Sequence, residues 1–410
     1  ADDQIDCTTH AVMAVTVSRA RCQDHKFDPF PQKDYYALAG IFRSCNTLYG
    51  ATGGNGNRQP SSLIPLSSGS DQPAEANPNQ QRIAQLSNQL KQAKANLEAN
   101  QDNKQQQRQL NKRVAQLQKQ LKQLKNGNNK NNGNKLPAGP AAMGVVDDRI
   151  ADVRLHIRGN TKTLGDEVPR GFLQVVSLRE QPIIGDKQSG RLELANYLTS
   201  QENPLTARVM ANRAWHWLFG QGIVRTVDNF GVMGERPSNV ELLDHLANEF
   251  VASDWSVKQL VREIVTSRTY RLASDHSEQN FAKDPENLLV WRQNHRRLDA
   301  ESIRDAILAM SGKLERKPVT SSPVAKLAGV NIGRQNTNLD QATGKAFRHR
   351  SVYMPILRNA LPESLAVFDF AEPSIIVGRR QITTVPSQAL YMMNSEFVVE
   401  QSAALAKKLL

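Results

Sequence analysis

Apolar positions recur along this chain at two spacings, and the helical one dominates. In Asp34-Tyr35-Tyr36-Ala37-Leu38-Ala39-Gly40-Ile41-Phe42 they return every three or four residues, so residues 1–48 read as a compact helical segment. From Ser189 onward the same spacing prevails. It predicts helices at Arg191 to Leu198 and Leu205 to Phe219, the second with Thr206 near its start and Gly220 placed to cap its end. Ser238-Asn239-Val240-Glu241 and Ser256-Val257-Lys258-Gln259 have capping-box spacing and open helices near 239–252 and 257–268. Asp299 caps a helix from Ala300 to about Met310, and two helices close the chain between Pro386 and Leu410.

The two-residue period is confined to short runs. Residues 143–180 read as extended, with Val153-Arg154-Leu155-His156-Ile157-Arg158 alternating as a half-buried strand does and Gly159-Asn160 forming a turn. Phe172-Leu173-Gln174-Val175-Val176 and Ser351-Val352-Tyr353-Met354-Pro355-Ile356 are the other strand candidates. Residues 313–350 are polar and irregular.

Heptad spacing marks a third region. Ile83, Leu86, Leu90, Ala93 and Leu97 form one arm, and Leu110, Val114, Leu117, Leu121 and Leu124 form another. Continuing the first register past Leu97 meets Gln101, Lys104, Arg108 and Asn111, so the arms are out of phase and separated by polar Asn100-Gln101-Asp102-Asn103. An antiparallel hairpin accounts for this better than one rod. Gly50 to Ser70 is a Gly/Ser/Asn-rich loop, and Asn126 to Asn134 reads as a disordered linker. The fold class expected is mainly α with a few short β-strands (α+β): a helical C-terminal domain and an inserted antiparallel coiled-coil hairpin.

Charge changes the picture in one place. The chain carries a formal net charge of +12, which invites a nucleic-acid reading. Between Gln81 and Lys135, however, twelve lysines and arginines face only Glu98 and Asp102, so this one insertion holds +10 of that total. The rest of the chain is near neutral, and specific nucleic-acid binding is not expected. The hairpin reads as a solvated basic face or as a contact for an anionic polymer or membrane surface. No run of about 18 apolar residues occurs, so no transmembrane segment is expected, and no signal peptide is visible. Because the chain opens inside a folded segment, it reads as a fragment or processed product. Cys7, Cys22 and Cys45 allow one bridge with one free thiol, or three reduced thiols.

Two constellations carry candidate chemistry. Cys22, Asp24, His25 and Asp28 lie close together in the sequence and offer metal-ligand atoms, although C-x-D-H-x-x-D is not a standard ligand spacing. The alternative is a capped loop whose Asp and His bond the backbone. The second constellation is cationic: Arg208 and Arg213 on one helix, Arg296 and Arg297 beside the Asp299 cap, and Arg358, Arg379 and Arg380 in loops. Guanidinium forks hold carboxylate, sulfate or phosphate, so a shared cleft would take an anionic ligand. Ion pairing with Asp228, Glu301, Asp305, Glu363 and Asp369 is the plainer alternative. His216 between Trp215 and Trp217 reads as packed rather than catalytic, and Trp215, Trp217, Trp255 and Trp291 read as core. There is no Gly-x-Ser-x-Gly elbow and no His-Glu-x-x-His, though Asp228, Glu235 and Asp369 could assemble from a distance into acid–base pairs.

Several longer motifs carry a resemblance: Asp24-His25-Lys26-Phe27-Asp28-Pro29 with Asp34-Tyr35-Tyr36; His156-Ile157-Arg158-Gly159-Asn160; Asn203-Pro204-Leu205-Thr206-Ala207-Arg208; Asp228-Asn229-Phe230-Gly231; and Arg296-Arg297-Leu298-Asp299-Ala300-Glu301. Arg350-Ser351-Val352-Tyr353 and Thr383-Thr384-Val385-Pro386-Ser387-Gln388 extend it. With them the chain resembles the planctomycete proteins that join a cytochrome-c-like (PSCyt) domain to a PSD domain of unknown function. The resemblance, which lies outside 50–140, implies the end of a PSCyt domain at 1–48 and the PSD domain at 189–410; composition and periodicity place between them a flexible linker at 49–80, the basic coiled-coil hairpin at 81–126, a disordered linker at 127–142 and a short-strand segment at 143–188. It also implies a location outside the cytoplasm. The family normally carries Cys-x-x-Cys-His ahead of Asp24. Here Arg19 stands at the first thiol and Gln23 at the iron ligand, so no haem c and no other cofactor is expected. The first functional expectation is an extracytoplasmic binding or assembly protein with a degenerate haem-attachment motif. The second is a hydrolase or lyase acting on an anionic or sulfated polysaccharide. The third is haem-dependent electron transfer.

Overall fold

The computed structural model describes residues 1–48, 63–66, 86, 89, 90, 92, 114–118, 120, 141–319, 347–356 and 361–410. It is mainly helical with a few short antiparallel strands. The chain divides into two compact units: one of residues 1–42, 152–185 and 190–410, the other of 43–151 and 186–189.

The first unit has three apolar clusters. In the first, α1 (Asp2–Met13), α2 (Gln32–Arg43) and α3 (Arg191–Thr199) enclose Ile5, Met13, Leu38, Ile41 and Tyr197. Asp2 and Asp3 in the first turn of α1 and His10 in its last suit the helix dipole. The second cluster lies among α4 (Thr206–Phe219), α5 (Val240–Ala252) and α6 (Val257–Thr266), around Trp215, Phe219, Leu246, Phe250 and Ile264. α7 (Glu278–Lys283) follows, opened by Ser277. The third cluster joins α8 (Ala300–Met310), α9 (Glu363–Ala366), α10 (Pro386–Asn394) and α11 (Glu396–Leu409) through Ile307, Leu365, Phe368 and Tyr391.

Local capping chemistry sets many of these boundaries. Ser256 and Asp299 accept the N–H of Gln259 and Ser302, as their spacing predicts. At α5 the cap is Asn239, one residue later than the box starting at Ser238. Its Oδ1 accepts Leu242 N at 2.8 Å, while Ser238 N is spent on Ile223 O. Gly220 ends α4 at φ 83°, and any Cβ there would sit 2.6 Å from Arg296 Cδ, so both backbone and packing require glycine.

The strands differ from expectation in place. In the second unit β1 (Cys45–Leu48) pairs with β4 (Gly144–Asp147), and β2 (Ile64–Pro65) with β3 (Ala141–Ala142), so antiparallel ribbons close the base of the long insertion. In the first unit β5 (Val153–His156) pairs with β6 (Leu164–Val168), Val153 opposite Val168. The expected strand at Phe172–Val176 is a turn, because the buried Tyr197 hydroxyl gathers the Leu173 and Val176 carbonyls to itself. At Ser351–Tyr353 a 3-10 turn replaces the expected strand: Asp305 accepts both Ser351 N and its hydroxyl, so side chains satisfy the backbone where a ladder would. Trp217 is 59% exposed and not in the core, since it lies off the Trp215/Phe219 face of α4.

Of the two heptad arms, residues 86, 89, 90, 92, 114–118 and 120 are helical. The pairing expected between the arms lies outside the described residues. Among the described residues, no helix is long and apolar enough to cross a membrane.

Candidate functional site

The His25 loop is built from backbone hydrogen bonds. His25 Nδ1 accepts Asp28 N at 2.8 Å and Phe27 N at 3.3 Å, which leaves the proton on Nε2 to bond Thr16 Oγ1 at 2.9 Å. Asp28 Oδ1 accepts Val232 N at 2.6 Å, and its carboxyl packs so closely on Gly231 that a Cβ there would stand 2.4 Å from Oδ1. Asp24 Oδ1 accepts Gln32 N at the start of α2. Cys22 is exposed, with its Sγ against Gly159, and Cys7, Cys22 and Cys45 are all free thiols. Among the described residues no three His, Cys, Asp or Glu side chains gather as a metal-holding group. The donor set does not fit covalent haem: one thiol is present where two are needed, and both His25 nitrogens are already engaged.

The arginines go to different places. Arg208 Nε pairs with Asp244 at 2.6 Å, and its Nη1 donates to Pro204 O. Arg213 donates to the carbonyls of His10 and Ala11 at the end of α1. Arg296 donates to Trp217 O. Arg297 binds Asp369, Thr383 O and Gln388, which closes the third cluster. Arg380 grips Glu301 with both Nη atoms, at 2.6 and 2.9 Å, over the Phe370 ring. Arg358 lies outside the described residues. Arg379 is exposed and forms an ion pair with no carboxylate among the described residues.

Arg379 lines an open cleft of about 390 Å³ formed by two loops, one supplying Arg225, Thr226, Asp228 and Glu235 and the other Ile376, Val377 and Gly378. The first loop is braced from within. Thr226 Oγ1 donates to Asn229 O at 2.8 Å and accepts Glu235 N at 2.9 Å, and Asn229 Oδ1 accepts Gly231 N. Gly378 packs on Asp228, where a Cβ would stand 2.5 Å from the Asp228 Cβ. Arg225 is held between Glu235, at 3.4 Å, and Glu286. The Asp228–Gly231 motif thus has two jobs: Asp228 faces the cleft, and Gly231 and Val232 sit on Asp28.

His216 reports the electrical character of this region. Burial depresses its pKa first, and the charges of Arg379 and Arg296 depress it further. Its Nδ1 is buried without a partner. Arg379→Ala is therefore expected to raise the His216 pKa toward its ordinary 6.5, read by NMR titration of the imidazole; an unchanged value would leave burial and Arg296 as the causes. Because the unfolded chain takes up this proton first as pH falls, the histidine lowers stability as pH drops through about 6.5, and His216→Gln removes that slope.

Sequence reasoning reached Arg379, Asp228 and Glu235 separately. It missed Arg225 and the meeting of the two loops, for which the only signal was the turn-forming composition of Asp228-Asn229-Phe230-Gly231.

The fold and cleft define a helical protein whose N-terminal segment is stitched into its C-terminal domain, with a cleft of mixed charge, Arg225 and Arg379 against Asp228 and Glu235, beside the seam. The chain belongs to the PSD1 family, a protein of unknown function (DUF1553), whose profile matches residues 190–410. Residues 1–47 match PSCyt2, also a protein of unknown function (DUF1549). No curated protein and no solved structure matches the chain.

Proposed function

We propose that this PSD1 protein is a binding or assembly protein that takes an anionic group, a sulfate or carboxylate on a polymer or partner protein, in the Arg379 cleft. The observation that carries the reading is that Arg379 is a cation without an ion-pair partner among the described residues, in a cleft whose loop is braced from below. The Arg379 charge also lowers the His216 pKa, second to burial, as an unneutralised cation nearby would. A setting outside the cytoplasm belongs to this proposal and rests on family resemblance.

The test must separate the cleft from the basic sequence between Gln81 and Lys135, whose net charge of +10 attracts anions without specificity. Calorimetry with a sulfated disaccharide compares Arg379→Glu with Lys112→Glu, which changes net charge equally. Arg379→Glu is expected to weaken binding by about tenfold or more, as for loss of a charge-assisted hydrogen bond. Lys112→Glu is expected to change it by less than about twofold. Equal effects of the two variants would sink the proposal.

A second reading, a hydrolase or lyase on the same class of polymer, is favoured by one observation: Asp228 and Glu235 both line the cleft. Turnover of a sulfated polysaccharide that disappears in both Asp228→Asn and Glu235→Gln would favour it over binding alone.

A further inference from the structure

A second cavity lies away from the arginine cleft. It has about the same volume, 390 Å³, which falls in the size range of small-molecule sites. Its floor is apolar, from Trp215 and Phe219 of α4, Leu246 of α5 and Ile264 of α6, all nearly inaccessible. Its rim is polar. On that rim Glu263 Oε1 stands 3.3 Å from His245 Nε2. No lysine or arginine lines the cavity, in a chain whose net charge is +12. Glu263 is therefore the one fixed charge of the lining among the described residues, and it is negative.

The wall above the floor is preformed. The Asp284 carboxylate accepts Leu288 N at 2.9 Å and Leu289 N at 2.8 Å, and Trp291 Nε1 donates to Asp284 O. Asn287 Nδ2 donates to Asn294 Oδ1. Within this loop Val290 has φ 52°, a left-handed conformation that a β-branched residue keeps only where its surroundings enforce it. The loop holds Leu288, Leu289 and Val290 against the cavity.

We propose that this cavity binds a small organic amine: an apolar, preferably aromatic, body on the Trp215–Ile264 floor and an ammonium group at Glu263. An apolar floor alone would accept any body of that size. The lone carboxylate makes the choice among head groups, by attracting a cation and repelling an anion.

Three isosteric probes test the choice: phenethylamine, 2-phenylethanol and phenylacetate, measured by calorimetry and saturation-transfer NMR on the intact chain. Wild type is expected to bind phenethylamine most tightly, 2-phenylethanol more weakly and phenylacetate least. Glu263→Gln, at a partly exposed position, is expected to cut phenethylamine affinity by about fivefold and leave 2-phenylethanol unchanged. Leu242→Trp, which fills the cavity from its rim and leaves the buried floor intact, is expected to abolish both. The proposal is overturned if phenylacetate binds as well as phenethylamine, if Glu263→Gln preserves the preference, or if binding survives Leu242→Trp or is absent from wild type.

Discussion

Tyr197→Ala is expected to lower the unfolding free energy by about 4–5 kcal/mol, at the upper end of large-to-small core changes. The ring is fully buried and stacks on Phe172 at 4.7 Å between centroids. The hydroxyl bonds Val176 O at 3.0 Å and Leu173 O at 3.3 Å, and burial raises its pKa, so it remains a donor at any ordinary pH. Alanine leaves a cavity at the centre of the first cluster and two carbonyls without their donor. Tyr197→Phe separates these effects. It keeps the stacking and is expected to cost about 1–2 kcal/mol, the range for a lost buried hydrogen bond. Urea midpoints at unchanged slope measure both. If alanine and phenylalanine cost the same, the ring contributes nothing beyond its hydroxyl and the packing argument fails.

Asp28→Ala is expected to cost about 3 kcal/mol and to weaken ligand binding in the cleft as well. The carboxyl is nearly inaccessible, accepts Val232 N and stands 3.5 Å from His25 Nδ1. Removing it leaves the Val232 N–H without its acceptor and opens a void under Gly231. The same loop carries Asp228 into the cleft, so its loosening reaches the binding site through three intervening residues. Asp28→Asn retains an acceptor for Val232 and is expected to recover most of the binding. Urea unfolding and disaccharide calorimetry, run on both variants, check the pair. Full binding in Asp28→Ala would show that the N-terminal segment and the cleft are uncoupled.

Local signals in the chain reached far into this fold. The Ser256 and Asp299 caps, the Gly220 stop and the terminal pair of helices each depend on residues within a turn or two of one another, so they could be read in one dimension. The Phe172–Val176 run could not. Its apolar side chains suit a strand and a buried turn equally, and the hydroxyl that selected the turn belongs to Tyr197, 21 positions beyond Val176. Ser351 was decided in the same way by Asp305, 46 positions earlier.

The candidate site was less legible. The sequence showed seven arginines of interest but not their partners. Arg380 takes Glu301 across 79 positions, and Arg297 takes Asp369 across 72, which removes both from the supply of available cations. His25 and Asp28 looked like paired ligands because they are close in the chain, and the fold assigns the carboxylate to Val232, 204 positions away.

From residue order alone came the helical class, many element boundaries and the PSCyt2–PSD1 pairing, because periodicity, caps and motifs act over distances of a few residues. Folding alone settled which charges meet and which are left over. An ion pair or buried hydrogen bond forms wherever packed elements bring two groups within about 3 Å, and no spacing along the chain encodes that encounter.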